Sequence, residues 1–396
     1  MPSTEQIARI QARLAAGTLR PDRDVDTGPT GWGGRTIARA SQVEALTPAS
    51  IRSLLVSAES GDISAQQELF EHMEERDGEL GSHLATRKAG VTRAPWAIVP
   101  NEDVPDAQAN AAAEAASFCR EVVGRIPRVA DMIFDLLDAI GKGFSVVKIR
   151  WDTGRDRWLP VGFEFVPQRF FTIAEDGVTL LLRGATRGDS VYVNPLNVII
   201  HQVRAQSGFT WRTALLRRCV RAFVVRHYSW KDWMALAEVY GMPLRIGKLR
   251  EGVAWNSDEA NQFYAAVRAI GQDYAAVIEG GNEIEIIKAA QGEGELYERI
   301  LERASRELAI AILGQTLTSG GEQGGSYALG QVHNQVRQDI IEEDADRLGE
   351  TLTDQLLRPI VTLNLGHDVP VPAWKFAPQR PEDLGAKATA FSTLAS

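Results

Sequence analysis

The stretch that decides the fold runs from Glu295 to Arg358. Glu295–Leu313 reads as one helix, Gly314-Gln-Thr-Leu-Thr-Ser-Gly-Gly-Glu-Gln-Gly-Gly-Ser326 as a glycine-rich loop, and Tyr327–Arg358 as a second, longer helix. Leu296, Ile300, Ala304, Leu308 and Ile312 form one apolar stripe, and Leu329, Val332, Val336, Ile340, Leu348, Leu352 and Leu356 form another. Steps of three and four residues put each stripe on a single helix face. At 1.5 Å per residue the second helix would span about 45 Å, longer than a compact domain requires. Pro359 is expected to end it, because the residue before a proline disfavours α geometry. Two amphipathic helices joined by a polar loop suit a part that reaches into a central space, not one that closes a catalytic pocket.

Working outward, helices are predicted at Trp211–His227 and Lys231–Tyr240, with Gly241-Met-Pro243 stopping the second. Ser257–Ile270 is a further helix with Ser257 as its N-cap. Val277–Ile287 reads as a hairpin turning at Gly-Gly-Asn. In the N-terminal half, Pro48–Arg93 has helical spacing, Trp96–Pro100 is strand-like, and Ala107–Val123 and Val129–Ile140 are helices. The second of these ends at Gly141 and Gly143. Phe144–Trp151, Trp158–Val166, Phe170–Ala174 and Val178–Arg183, parted by turn signals, predict a meander of antiparallel strands, and Asn197–Ile200 adds one more. Ser3-Thr-Glu-Gln6 opens a short amphipathic helix with a capping box. Residues 17 to 34, rich in Gly and Pro, read as an arm. Pro381–Ser396 starts like a helix and stops without a capping signal, so the chain is either a truncated one or one with a frayed terminus.

Composition excludes several classes. A chain of 396 residues, 44% hydrophobic and 24% charged, holds two or three folded domains. No apolar run approaches the ~18 residues of a membrane helix, and the N-terminus lacks the apolar core of a secretion signal, which points to synthesis in the cytoplasm. Net charge −9 disfavours tight wrapping of nucleic acid, although an acidic chain can surround DNA that must slide. Charge is unevenly placed. From Ser190 to Lys231 there is no Asp or Glu, yet Arg204, Arg212, Arg217, Arg218, Arg221, Arg226 and Lys231 all occur. Between Asp339 and Asp354 lie Glu342, Glu343, Asp344, Asp346 and Glu350 against Arg347 alone. Either each segment is a solvated helix face, or the two meet across a head-to-tail interface, with Arg217, Arg218 and Arg221 facing Glu342, Glu343 and Asp346.

Reactive motifs are missing. Gly141-Lys142 and Gly247-Lys248 lack the remainder of a phosphate-binding loop. The six histidines form no helical ligand pair, and Asp22, Asp24 and Asp26 lack the glycine and distal glutamate of a calcium loop, so no catalytic residue, metal or cofactor is assigned. Cys119 and Cys219 stand apart and read as buried thiols. Trp211, Phe223, Tyr228, Trp230 and Trp233 could stack bases, but their helical spacing fits core or intersubunit packing better.

Several patterns, in shared order from about Leu80 to Leu365, carry a resemblance: Leu137-Asp-Ala-Ile-Gly-Lys-Gly-Phe-Ser145 leading to Ile149 and Trp151; Asn194-Pro-Leu-Asn197 leading to His201; Lys231-Asp-Trp233 followed by Glu238–Lys248; Gly314–Thr318 with Gly325-Ser326; and Leu356-Leu-Arg-Pro359 before Asn364. In these the chain resembles the Mu-like phage portal protein family. Lys148 stands where that pattern has an acid.

The resemblance implies an α+β portal fold in a homo-oligomeric ring, typically of twelve copies, at one capsid vertex, through which double-stranded DNA is packaged and ejected. Its partners would be the terminase large subunit, capsid or scaffold proteins and head-tail adaptors, with no membrane. The implied organisation is an arm at 1–45, an α+β wing at 46–255, stem helices at 256–313 with a clip hairpin near 277–290, a tunnel loop at 314–327, a long wing helix at 328–358 and a C-terminal segment at 359–396. Gln315, Thr316, Thr318, Ser319, Glu322, Gln323 and Ser326 would line the channel, and Glu279, Asn282, Glu283 and Glu285 would face the motor or adaptors. The loop has no Lys or Arg, so its contact with a moving duplex would be weak and polar. Its glycines would let each copy take its own backbone conformation against a helix of mismatched symmetry. The contrasting readings are a metal-dependent nuclease of a phage and a ring-forming head-tail adaptor.

Overall fold

The computed structural model describes residues 4–21, 47–152, 154, 157–183, 190–240, 244–269, 283–287, 293–315 and 327–378. The capping box at Ser3, most of the N-terminal arm and the C-terminal segment beyond 378 lie outside them. The elements in chain order are α1 (Thr4–Ala15), α2 (Pro48–Glu59), α3 (Ser64–Arg76), α4 (Gly78–Thr92), β1 (Trp96–Val99), α5 (Ala109–Gly124), α6 (Val129–Leu136), α7 (Ala139–Lys142), β2 (Phe144–Asp152) and β3 (Leu159–Val166). There follow β4 (Phe171–Ile173), β5 (Leu180–Leu182), β6 (Val198–Gln202), α8 (Leu216–Tyr240), β7 (Leu244–Lys248), α9 (Asp258–Ala269), β8 (Glu283–Ile287), α10 (Glu293–Leu313), α11 (Tyr327–Leu352), α12 (Arg358–Asn364) and β9 (Ala373–Phe376). The fold is α+β, with small antiparallel sheets among helices. It divides into one unit of residues 1–221 with 305–396 and another of residues 222–304, the boundaries falling inside α8 and α10.

In the larger unit the helical run predicted at Pro48–Arg93 is three helices, of which the first and third start at side-chain caps. Thr47 and Ser50 form a capping box at α2, and the Asp77 carboxylate accepts from Glu79 and Leu80 N–H at the start of α4. The predicted meander is replaced by two separate sheets. β2 lies between β3 and β6, both antiparallel, while β4 and β5 pair by themselves. The strands themselves were legible because Val, Ile and Phe alternate. Their pairing was not, because it rests on packing: Phe144, Val146, Val166, Phe171, Ile173, Leu180 and Val198 share one core with Ala58 and Ile63 of the α2–α3 corner. Lys148, out of place in the family pattern, faces Glu164 across the β2–β3 ladder, an opposite-charge pair that suits a half-buried position.

Two further differences concern helices. Trp211–His227 and Lys231–Tyr240 are joined as α8, preceded by a 3-10 turn at Thr210–Arg212, because nothing between Tyr228 and Trp230 breaks a helix. The long helix does not end at Pro359 either. A π turn at Thr353–Leu357, in which Arg358 N–H donates to Thr353 C=O, leads into α12 with Pro359 in its first turn. The wider turn removes the proline's clash with the preceding carbonyls, and a first-turn proline needs no N–H partner.

The π turn is also an anchor. Gln355 Nε2 donates to Ile200 C=O at 2.9 Å while its Oε1 accepts from Ile200 N–H at 2.7 Å, so a side-chain amide completes the edge of β6. Thr353 Oγ1 accepts from Trp374 N–H at 2.9 Å, fixing β9 beside α11. The β1–β9 pair, closed by stacked Trp96 and Trp374, had no counterpart in the sequence reading beyond β1 itself, since four residues between prolines give little period to read.

In the smaller unit β7 pairs antiparallel with β8, Gly247 opposite Ile284 and Lys248 opposite Glu283. Gly247 lies under Phe263 and Val267 of α9. Ser257 Oγ accepts from Ala260 N–H at 3.2 Å, the expected N-cap of that helix. The strand Glu283–Ile287 was expected to pair with residues just before it, but those, and the Gly-Gly-Asn turn, lie outside the described residues. The strand it meets here is β7, a segment not read as a strand.

Candidate functional site

α10 ends at Leu313 and α11 begins at Tyr327, on either side of the glycine-rich segment, and polar contacts tie both helices to α4. Arg87 of α4 makes the junction. Its Nε and Nη2 donate to Asp344 Oδ2 and Oδ1 at 2.6 and 2.9 Å, and its Nη1 donates to Ile312 C=O at 2.9 Å. One guanidinium therefore satisfies both a carboxylate of α11 and a last-turn carbonyl of α10, which has no partner within its own helix. Asp344 has 3% of its side chain exposed, so the pair stands out of water. Ser305 of α10 donates to Glu79 of α4 at 2.6 Å, and Leu308, Ala309, Ile312 and Leu313 bury the remainder of that helix end.

Gly314 then ends the helix with φ +70°, a left-handed conformation that L side chains rarely adopt. A Cβ there would sit 2.8 Å from Ile340 and 3.1 Å from Val336, so α10 ends directly against α11. Gln315 is buried at 5% exposure. Thr316, Thr318, Ser319, Glu322, Gln323 and Ser326 lie outside the described residues. Of the other group, Glu279 and Asn282 also lie outside them, and Glu283 and Glu285 fall on β8, opposite Lys248 and Ile246 in backbone register.

The charged segments behave differently from one another. Arg217 donates to Gln66 Oε1 at 2.9 Å and to Glu59 Oε1 at 3.0 Å, and Arg212 reaches the same Glu59 oxygen. Burial lowers the Arg217 pKa, only partly offset by Glu59, with Arg212 lowering it further. Arg218 donates to Ala205 C=O at 2.6 Å, and Arg221 pairs with Glu307 at 3.0 Å. On α11, Glu342 is half-buried and accepts from Gln338, Glu343 pairs with Arg347 one turn on, and Asp346 is exposed. Of the cations expected to meet that acidic face, Arg217 and Arg218 are therefore bonded within their own chain, while Arg221 sits in an exposed pair with Glu307.

Residues of the recurring patterns turn out to tie the scaffold. Lys88 Nζ bonds Asp138 at 2.7 Å and Glu74 at 2.9 Å, while Lys142 bonds Asp138 at 2.8 Å and Gln168 donates to Asp138 at 2.7 Å. Burial pushes the Asp138 carboxyl up, but Lys142 and Lys88 outweigh it and hold the group down to about 2. Neighbouring Asp135 goes the other way, raised to about 6 by burial first and then by Asp138 and Asp131. Ser145 donates to Asp135 C=O at 2.6 Å, and Asn364 spans Trp158 N–H and C=O at 3.0 and 2.8 Å. His201 bonds Thr351 at 2.9 Å through Nδ1 and is held neutral, down to about 4, by burial and by Arg347. Cys119 and Cys219 are buried, their thiols pushed up to about 12. Among the described residues no three His, Cys, Asp or Glu side chains gather to hold a metal, and no helix is long and apolar enough to cross a membrane.

The architecture matches that of particle necks. A chain in the neck of an empty gene transfer agent particle computed with C6 symmetry superposes with TM-score 0.58 at 12% identity, over 78% of this chain and 83% of that one. A chain in the native neck computed with C12 symmetry gives 0.59 at 11%, over 83% and 89%. The family model of the portal protein of Mu bacteriophage matches residues 67–396. The Mu-like prophage FluMu protein gp29 of Haemophilus influenzae is 35% identical over 361 residues, 88% of this chain and 67% of its own length. The portal protein of Escherichia phage Mu is 29% identical over 355 residues, 89% and 68%. The chain belongs to the Mu portal protein family, a structural family of the phage head.

Proposed function

We propose that copies of this chain close head to tail into a ring at one vertex of a phage capsid, where double-stranded DNA enters during packaging and leaves on ejection. The family match over residues 67–396 is the observation that carries this reading. In the ring, residues 46–255 form the wing, α9 and α10 the stem, and the segment near 277–290 a clip that meets the terminase large subunit and then a head-tail adaptor. The loop after Gln315, including Thr316, Thr318, Ser319, Glu322, Gln323 and Ser326, faces the channel, and α11 runs back through the wing. The part is non-enzymatic; terminase supplies the work.

The physical support lies in the loop's mounting. A loop around a moving, mismatched duplex needs freedom along its length and a firm base, and Arg87 ties the last turn of α10 to α4 and to Asp344 in the second half of α11. With no Lys or Arg between Gly314 and Ser326, the loop holds no phosphate. Projection images and native mass of the purified full-length protein test the proposal. A closed ring with the 314–326 bend at the central hole is expected. A protein that stays monomeric under every assembly condition, or a bend on the outer rim, overturns it.

A further inference from the structure

A line of exposed acids runs along α11 and into the π turn that follows it. Asp339, Glu343, Asp346, Glu350 and Asp354 are all exposed and recur at steps of four, three, four and four residues. Such steps keep side chains in one line along a helix. Ile341, Ala345, Leu348 and Leu352 are buried on the other side, where Ile341 packs so closely on Gly90 of α4 that a Cβ there would lie 2.5 Å from Ile341 Cδ1. Among the described residues, Asp346 and Glu350 have no hydrogen-bond or ion-pair partner.

Along the seam of α4 and α11 runs a groove of about 610 Å³ whose described lining includes Ser82, Ala85, Ala89 and Gly90, small side chains that let another element approach closely, together with Arg93 and Arg337. Among the described residues neither arginine side chain has a hydrogen-bond or ion-pair partner, and the Nε of Arg337 is buried without one. A buried guanidinium N–H left unmet costs free energy unless something fills its place.

The acidic line and the arginine groove thus lie toward opposite sides of one helix. Surfaces on opposite sides cannot satisfy each other within a copy, but a head-to-tail arrangement brings one against the other at every step around a ring. We propose that the acidic face of α11 in one copy docks on the Arg93/Arg337 groove of the next. The basic partner of that face is then the α4–α11 groove instead of Arg217, Arg218 and Arg221. The inference rests on the ring reading above and names the contact that closes it.

Charge reversal tests it. One protein carries Arg93→Glu with Arg337→Glu, a second carries Asp346→Arg with Glu350→Arg, and each is sized by sedimentation at a concentration where the unaltered chain is assembled. Each alone is expected to lose the assembled species. Mixed in equal amounts they restore it, since every step then pairs an acidic surface with a basic one, and a chain carrying all four changes assembles by itself. Recovery on mixing also shows that both variants fold. Normal assembly of the groove variant alone, or no recovery in either combination, overturns the contact. If the unaltered chain never assembles, the ring reading fails instead.

Discussion

The basic start of α8 and the acidic face of α11 are similar in sequence, each a run of one sign on a long helix, and opposite in structure. Arg212 and Arg217 share Glu59, and Arg218 caps a carbonyl of its own chain. On α11 Asp344 is buried against Arg87, while Asp346 and Glu350 are exposed. A charge run therefore says nothing about availability. What decides is whether the fold brings a counter-charge within reach, and for the arginines Glu59 of α2 lies roughly 150 residues away in sequence.

The inward member of the acidic run gives the largest expected effect. Arg87→Ala leaves Asp344 buried without its counter-ion and should cost about 3–5 kcal/mol in urea unfolding. Arg87→Met with Asp344→Leu should recover much of that loss. A double variant as unstable as Arg87→Ala would show that the ion pair is not the source.

On the basic side, Arg217→Ala should cost about 1.5–3 kcal/mol, because Glu59 and Gln66 lose a charged, half-buried donor. Arg221→Ala, at an exposed pair, should cost under about 1 kcal/mol. Equal losses at the two sites would break the distinction between engaged and exposed arginines.

The Asp135–Asp138 pair sharpens the same contrast through pH. Asp135 has its folded pKa raised to about 6, so its favourable contribution is complete below about 4 and is lost as pH rises through about 6. Asp138, held low by Lys142 and Lys88 against burial, contributes above about 4 and loses that contribution as pH falls toward about 2. Asp135→Asn should therefore stabilise the protein at neutral pH and flatten the decline between pH 4 and 6 in thermal melts. A variant with the unaltered pH profile would sink that assignment.

The smallest effect on the isolated chain belongs to the outward acids. Asp346→Asn and Glu350→Gln should each change its stability by under about 0.5 kcal/mol, as exposed substitutions do. Their consequence should appear only in assembly, which ought to weaken as salt is raised.

Much of the scaffold was legible. The spacing Leu296, Ile300, Ala304, Leu308, Ile312 located α10, and Gly314 its end, because a buried stripe and a left-handed turn leave local marks. Ser257 marked the start of α9 for the same reason. The patterns around Asp138, His201 and Asn364 were visible too, but as signatures whose work the sequence did not explain. In the fold Asp138 joins helices, His201 is a neutral core histidine, and Asn364 holds the start of β3. Arg87 was missed altogether, since one arginine in an amphipathic helix carries no mark of the carboxylate 257 residues later that it meets.

Taken alone, the chain's residues settled what depends on near neighbours: the helices, most strands, the end of α10 at Gly314 and family membership. Tertiary structure decided which strands pair, that the long helix passes through Pro359, and which charges are closed off inside the chain. Those outcomes depend on elements brought together across long stretches of sequence. There, burial and desolvation determine whether a charge is held inside or left for a neighbouring copy.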